Sequence, residues 1–139
     1  MEYTDILGKF EGAPRFGSLP GVKISEKMLA AVGNPQKGLP FIHIAGTNGK
    51  GSTAAFLRSV LTEAGYRTGM YTSPHLEDFR ERFSIDGEKI SKEDFRSIGE
   101  WILGQNFEVS PTMSDYCLLL SLYYFKKYHC DVAIFETGL

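Results

Sequence analysis

The run Gly46-Thr47-Asn48-Gly49-Lys50-Gly51-Ser52-Thr53 places glycines, a lysine and hydroxyl side chains within eight positions. Glycines let a backbone curl until several N–H groups point inward, and lysine adds a full positive charge. A helix starting here would contribute the partial positive charge of its N-terminus. Those parts suit a polyphosphate. The strict pattern G-x-x-x-x-G-K-[ST] is not met, because Ile44 stands at its first glycine and Gly51 follows the lysine where a hydroxyl is usual. Ser52 or Thr53 is left to supply that hydroxyl. The alternative is a glycine turn that only makes a tight corner, although a corner needs neither lysine nor asparagine.

Two further groups suit the same chemistry. Thr72-Ser73-Pro74-His75-Leu76 follows an apolar run, and Ser73 is a candidate oxygen ligand for Mg²⁺, which takes one or two protein oxygens beside phosphate. The competing reading is that Ser73-Pro74 merely breaks the strand. Glu136 ends the apolar run Val132-Ala133-Ile134-Phe135, as does the acidic residue that supports magnesium beside a phosphate loop. Its alternative is an ordinary strand-end charge in water. Arg80 and Arg82 lie among alternating charges from Glu77 to Phe83, a pattern that usually marks a solvated face. An arginine there could instead grip a carboxylate or phosphate by paired hydrogen bonds. His43 reads as a satisfied core residue, whereas His75 sits on a loop within reach of ligand.

The elements that must position these groups alternate. Glycines and prolines from Gly8 to Gly21 mark an irregular arm, followed by a short helix that Ser25 can cap and Gly33-Asn34-Pro35 ends. Phe41 to Ala45 reads as a buried central strand. Ala54, Leu57, Val60, Leu61 and Ala64 then recur at helical spacing up to a Gly65 cap, and Arg67 to Thr72 reads as a second strand. Asp86-Gly87 between short strand-like runs signals a two-residue hairpin. Ser91 to Asp94 opens a helix that Gly104 stops, and a helix starting near Thr112 to Asp115 is apolar on nearly every side. Strands separated by helices predict a doubly wound, mainly parallel α/β sheet with the phosphate loop, Ser73 and Glu136 at strand carboxyl ends.

The 139 residues are 42% hydrophobic and 23% charged, which fits one globular domain with its own core. A net charge of -2 gives no field for nucleic acid, and no apolar stretch reaches membrane-spanning length. Cys117 and Cys130 lack metal-type spacing and read as reduced packing thiols, as expected of a cytoplasmic protein.

In this order, Phe41-Ile42-His43-Ile44-Ala45-Gly46-Thr47-Asn48-Gly49-Lys50-Gly51-Ser52 and Tyr71-Thr72-Ser73-Pro74-His75-Leu76 with Arg80-Glu81-Arg82 resemble two signatures of a known family. It is the folylpolyglutamate synthase and dihydrofolate synthase family, within the Mur ligase superfamily, and the likeness spans nearly the whole chain. Gly51 after the lysine is characteristic of it. The resemblance implies that Gly46, Thr47, Asn48, Gly49, Lys50, Gly51, Ser52 and Thr53 bind ATP, with Lys50 also catalytic. It implies magnesium ligation by Ser73 and Glu136, and a folate loop containing Thr72, Pro74, His75 and Arg82. The implied activity is ATP-dependent joining of L-glutamate to a folate, to dihydropteroate, or to both, through an acyl phosphate. The implied whole protein is a cytoplasmic monomer.

Two features depart from the family. Ser114-Asp115 stands where Phe-Glu is usual, and Leu118 where a threonine is usual, in the segment that would touch the pterin. The chain also stops at Gly138-Leu139, where the family continues into the rest of its central domain and a C-terminal domain. Residues 1–139 are therefore expected to be a truncated, Mur-ligase-like ATP-binding domain, inactive alone and prone to self-association through uncovered apolar layers. The rival readings are a non-catalytic nucleotide-binding or interaction fragment, and a Mur ligase acting on a cell-wall precursor.

Overall fold

The computed structural model describes residues 1–14, 23–46, 49–73 and 77–137, and of Lys50 the backbone alone. In chain order the elements are α1 (Tyr3–Glu11), α2 (Lys23–Ala31), β1 (Phe41–Ala45), α3 (Lys50–Glu63), β2 (Thr68–Tyr71), a 3₁₀ turn (Phe79–Arg82), β3 (Phe83–Ile85), β4 (Glu88–Lys89), α4 (Lys92–Leu103), α5 (Met113–Lys127) and β5 (Val132–Thr137). They form two compact units, Met1–Lys37 with Lys92–Tyr124, and Gly38–Ser91 with Phe125–Leu139.

The first unit is helical. Ile6 and Phe10 of α1 are fully buried, and Phe10 stacks on Tyr116 at 5.2 Å and meets Phe95 at 5.3 Å. The expected irregular arm is thus corrected: its first part is a packed helix, opened by a reciprocal cap between Glu2 and Asp5. Gly8 inside the helix hides the three- and four-residue spacing of Tyr3, Ile6 and Phe10. The reason it is tolerated is packing, since propensity is only a weak prior. Helix α5 begins with a similar device, in which Thr112 N–H and hydroxyl donate to Asp115 at 2.9 and 2.8 Å, and Asp115 N–H donates back to the Thr112 hydroxyl.

The second unit holds the sheet, in the order β1-β5-β2-β3-β4. Strands β1, β5 and β2 run parallel, while β3 and β4 add an antiparallel hairpin. Side chains alternate between faces of a strand. One face carries Gly69, Tyr71, Ala133 and Phe135, and there the Phe125 ring meets Phe135 at 6.0 Å. The other carries Ile134 and Glu136 beneath α3, which brings Gly51 close to the Glu136 carboxylate. With α3 over one face and the end of α5, at Phe125, against the other, this mainly parallel sheet is the α/β arrangement expected.

Strand β1 corrects another expectation. It lies at the sheet edge, with Phe41 62% and Ile42 37% exposed, and pairs with β5 alone among the described residues. The apolar stripe of α3 is open too: Ala54 is buried, whereas Val60 and the neighbouring Phe56 are exposed. His43 sits on that edge rather than in a core, and its Nε2 is hydrogen-bonded to the Thr137 hydroxyl at 2.5 Å.

The hairpin turn has Asp86 at φ 49° and Gly87 at φ 87°, as a turn with two left-handed residues requires. Asp86 Oδ1 also accepts from Thr68 N–H at 2.9 Å and from the Thr62 hydroxyl at 3.0 Å, tying the hairpin to β2 and α3. Asp86→Ala leaves the buried Thr68 amide without this acceptor. It is expected to cost about 1–3 kcal/mol, read as a lower denaturant midpoint.

Candidate functional site

The loop between β1 and α3 is held by conformations that side chains resist. Gly46 has φ 151°, and Gly49, the N-cap of α3, has φ 75°. Thr53 closes the first helical turn, its N–H and hydroxyl both donating to the Gly49 carbonyl, at 3.0 and 2.9 Å. That bond commits the Thr53 hydroxyl to the helix. The amides of Lys50, Gly51 and Ser52 precede the first in-helix hydrogen bond and form the donor end of α3. Gly51 and Ser52 are exposed there. Thr47, Asn48, Pro74 and His75 of the expected site lie outside the described residues.

Parallel pairing sets the carboxyl ends of β1, β5 and β2 side by side. Ile44 stands level with Glu136, Ala45 with Thr137, and Tyr71 with Phe135. Glu136 therefore emerges between the glycine loop on one side and Thr72-Ser73 on the other. It lies one residue inside β5 rather than beyond it, and is buried, with 6% of its surface exposed. Its Oε2 is 3.9 Å from where a Cβ on Gly51 would stand. The glycine after the lysine thus has a physical reading: even a Cβ there would be in van der Waals contact with this carboxylate. Among the described residues, no hydrogen bond to the Glu136 carboxylate is formed with a side chain or loop amide. A buried carboxylate without such a partner, facing a helix N-terminus, is a fitting place for a cation and phosphate.

The half-buried Thr72 is held from the other direction. Its N–H donates to the Arg82 carbonyl at 3.0 Å and its hydroxyl to the Glu81 carbonyl at 3.4 Å. The two arginines do not form the expected solvated face. Arg82 is buried, with its guanidinium 4.9 Å from the centre of the Phe79 ring and donating to the Tyr71 hydroxyl at 3.4 Å. Arg80 donates to Asp78 Oδ2 at 2.9 Å and to the Ile90 carbonyl at 3.0 Å. Burial pushes the Asp78 carboxyl up, but hydrogen bonds from the Arg80 amide and guanidinium outweigh it and hold the group below its ordinary range. Charge alternation gave no sign of this, because it carries no information about which side chains the hairpin folds over.

Both cysteines are free thiols. Burial first, and Asp86 second, push Cys130 up to about 12. Its thiolate is therefore scarce at neutral pH, and alkylation of the folded protein at pH 8 is expected to run more than about 100-fold slower at Cys130 than in urea, followed by mass spectrometry.

No family model matches the chain. Dihydrofolate synthase/folylpolyglutamate synthase of Bacillus subtilis (strain 168) is 39% identical over 144 residues, covering 99% of this chain and 34% of that protein. Folylpolyglutamate synthase of Lacticaseibacillus casei is 33% identical over 146 residues, covering 100% of this chain and 34% of that protein. Among solved structures, an FPGS–AMPPCP–folate complex matches with a TM-score of 0.92 and 32% identity, over 100% of this chain and 36% of that one. The chain spans about a third of the length of these curated relatives. Matched along its whole length in both sequence and backbone, the chain belongs to the folylpolyglutamate synthase/dihydrofolate synthase family.

Proposed function

We propose that the whole protein is an ATP-dependent ligase that joins L-glutamate to a folate, to dihydropteroate, or to both, and that residues 1–139 are the phosphate-binding part of its Mur-ligase-like ATP domain. The observation that supports this is the approach of the Glu136 carboxylate to Gly51, which sets an acidic oxygen beside the N-terminus of α3, where a phosphate would be received. In this reading the loop from Gly46 to Thr53, with Lys50, receives the ATP phosphates. Glu136 and Ser73 hold the cation, and the segment containing Thr72, Pro74, His75 and Arg82 binds the folate. Magnesium, when bound, supplies charge neutralisation on the phosphoryl group being transferred.

The chemistry follows in two steps. An oxygen of the folate carboxylate attacks the γ-phosphorus, the bond to the β-phosphate oxygen breaks, and ADP leaves with that electron pair. The amine of glutamate then attacks the acyl carbon, inorganic phosphate leaves, and the amine loses a proton to give the amide. The protein's share is to hold the reactants in line and to place amide dipoles and the lysine charge where negative charge gathers. The whole protein works in the cytoplasm as a monomer.

The test is an assay of the whole protein with ATP, magnesium, glutamate and either dihydropteroate or a reduced folate. ADP release coupled to amide product is expected. Turnover with a cell-wall precursor, or none with either pterin substrate, would overturn the reading. The 139 residues alone are expected to bind nucleotide weakly without turnover, and amide formation by them would refute that part. Their open β1 edge and exposed Phe41, Phe56 and Val60 are where the rest of a family-length polypeptide would pack. Light scattering of the isolated 139 residues should show self-association; a clean monomer would contradict it.

A further inference from the structure

We propose that Arg80 is a positioning residue for Ser73, acting through the 3₁₀ turn without touching nucleotide or folate. This rests on the proposed magnesium role of Ser73. The path is short: hydrogen bonds run from Arg80 to Thr72, and Thr72 is the chain neighbour of Ser73. The Arg80 guanidinium bridges Asp78 Oδ2 at 2.9 Å and the Ile90 carbonyl at 3.0 Å, and so fixes the turn against the strand end beyond β4. Ile90 is itself anchored, its N–H donating to the Phe83 carbonyl at 2.8 Å. Asp78 closes the turn by accepting from Arg80 N–H at 3.0 Å, while Glu81 Oε2 accepts from Asp78 N–H at 3.0 Å and Glu77 N–H at 3.3 Å. Turn and tether together fix the carbonyls of Glu81 and Arg82.

Those two carbonyls are the ones that hold Thr72, through its hydroxyl at 3.4 Å and its N–H at 3.0 Å. Thr72 adjoins Ser73, one residue beyond β2. Arg80 thus sets the direction in which the chain leaves β2, and with it the place of the Ser73 hydroxyl. Its surroundings fit a structural guanidinium better than a ligand hand: the side chain is 15% exposed, and its Nε is buried with no hydrogen-bond partner among the described residues. Lys89 adds a second, exposed cation 3.5 Å from Asp78 Oδ2, but among the described residues its ammonium makes no hydrogen bond to the Ile90 carbonyl, so it does not replace the tether. Outer groups of this kind orient a metal's direct ligands and tune its binding.

The experiment compares Arg80→Gln, Ser73→Ala and the double variant. Amide exchange by NMR reads the tether without metal, and calorimetry reads how much magnesium strengthens ATP binding. In Arg80→Gln, Thr72 N–H should exchange at least about tenfold faster while the Ile134 amide is unchanged. The magnesium enhancement should fall by about tenfold, the lower end of outer-group effects on metal sites. The double variant should lose no more than Ser73→Ala, since both act on one interaction. Asp78→Asn should repeat the Arg80→Gln result from the other end of the tether. An unchanged Thr72 exchange rate, an intact magnesium enhancement in a folded Arg80→Gln, or additive losses in the double variant would overturn the proposal. Should Ser73→Ala alone leave the enhancement intact, the metal role of Ser73 fails, and Thr72 exchange then decides by itself whether Arg80 sets the β2 exit.

Discussion

Glu136→Gln is expected to lower ATP turnover by the whole protein by about 100-fold or more while leaving its unfolding midpoint nearly unchanged. Glutamine keeps the shape of the side chain and one of its acceptor oxygens, so packing at the end of β5 is preserved. The full negative charge is lost, and that charge is what the proposed cation site depends on. Removing a single electrostatic element from a transition-state site costs about 10²–10³ in rate. The check is steady-state ADP release at saturating ATP across a magnesium titration, alongside thermal unfolding. A variant with normal turnover would remove Glu136 from the site. One that had merely unfolded would show it in the melting curve.

Gly69→Val is expected to destabilise the fold by about 3 kcal/mol, and Gly69→Ala by about 1–3 kcal/mol, the range for added core atoms. A Cβ at Gly69 would lie 2.5 Å from Phe125 Cδ1 and 2.7 Å from its Cε1 and Cγ. Phe125 is fully buried and meets Phe135 at 6.0 Å, so the ring cannot simply swing away. The glycine is there for close approach: β2 lets the end of α5 sit directly on the sheet. Urea unfolding of the two variants checks this, with a midpoint lower in valine than in alanine. Equal stability of all three would show that the ring moves at little cost.

Much of the second unit was legible in the sequence because its signals are local. Strand, glycine loop and helix lie in immediate succession around Gly46 to Thr53, and Asp86-Gly87 marks its turn by backbone conformation alone. The meeting of Gly51 and Glu136 was legible only through the general rule for strand carboxyl ends, because 85 residues separate them. The edge position of β1 was not legible. An apolar pentapeptide reads the same whether neighbours cover it on one side or two, and strand order is set by pairing over long separations. Helix α1 was missed for a different reason: Gly8, Gly12 and Pro14 are loop residues by propensity, yet Ile6 just before them and Phe10 among them are fully buried. For Arg80 and Arg82, alternating charge pointed to solvent, and only tertiary hydrogen bonds turned them inward.

What matters most is whether one crevice receives both a polyphosphate and a hard cation, between the N-terminus of α3 and the carboxyl end of β5. Manganese, which takes the same oxygen ligands as magnesium and broadens nearby amide resonances, reads this directly when added to the protein with ATP. Broadening should centre on Gly51, Ser73 and Glu136 and spare Asp86 and Asp131 at the opposite ends of the strands. Broadening that centres on Asp86 and Asp131, or that is the same without ATP at every amide, would contradict the site.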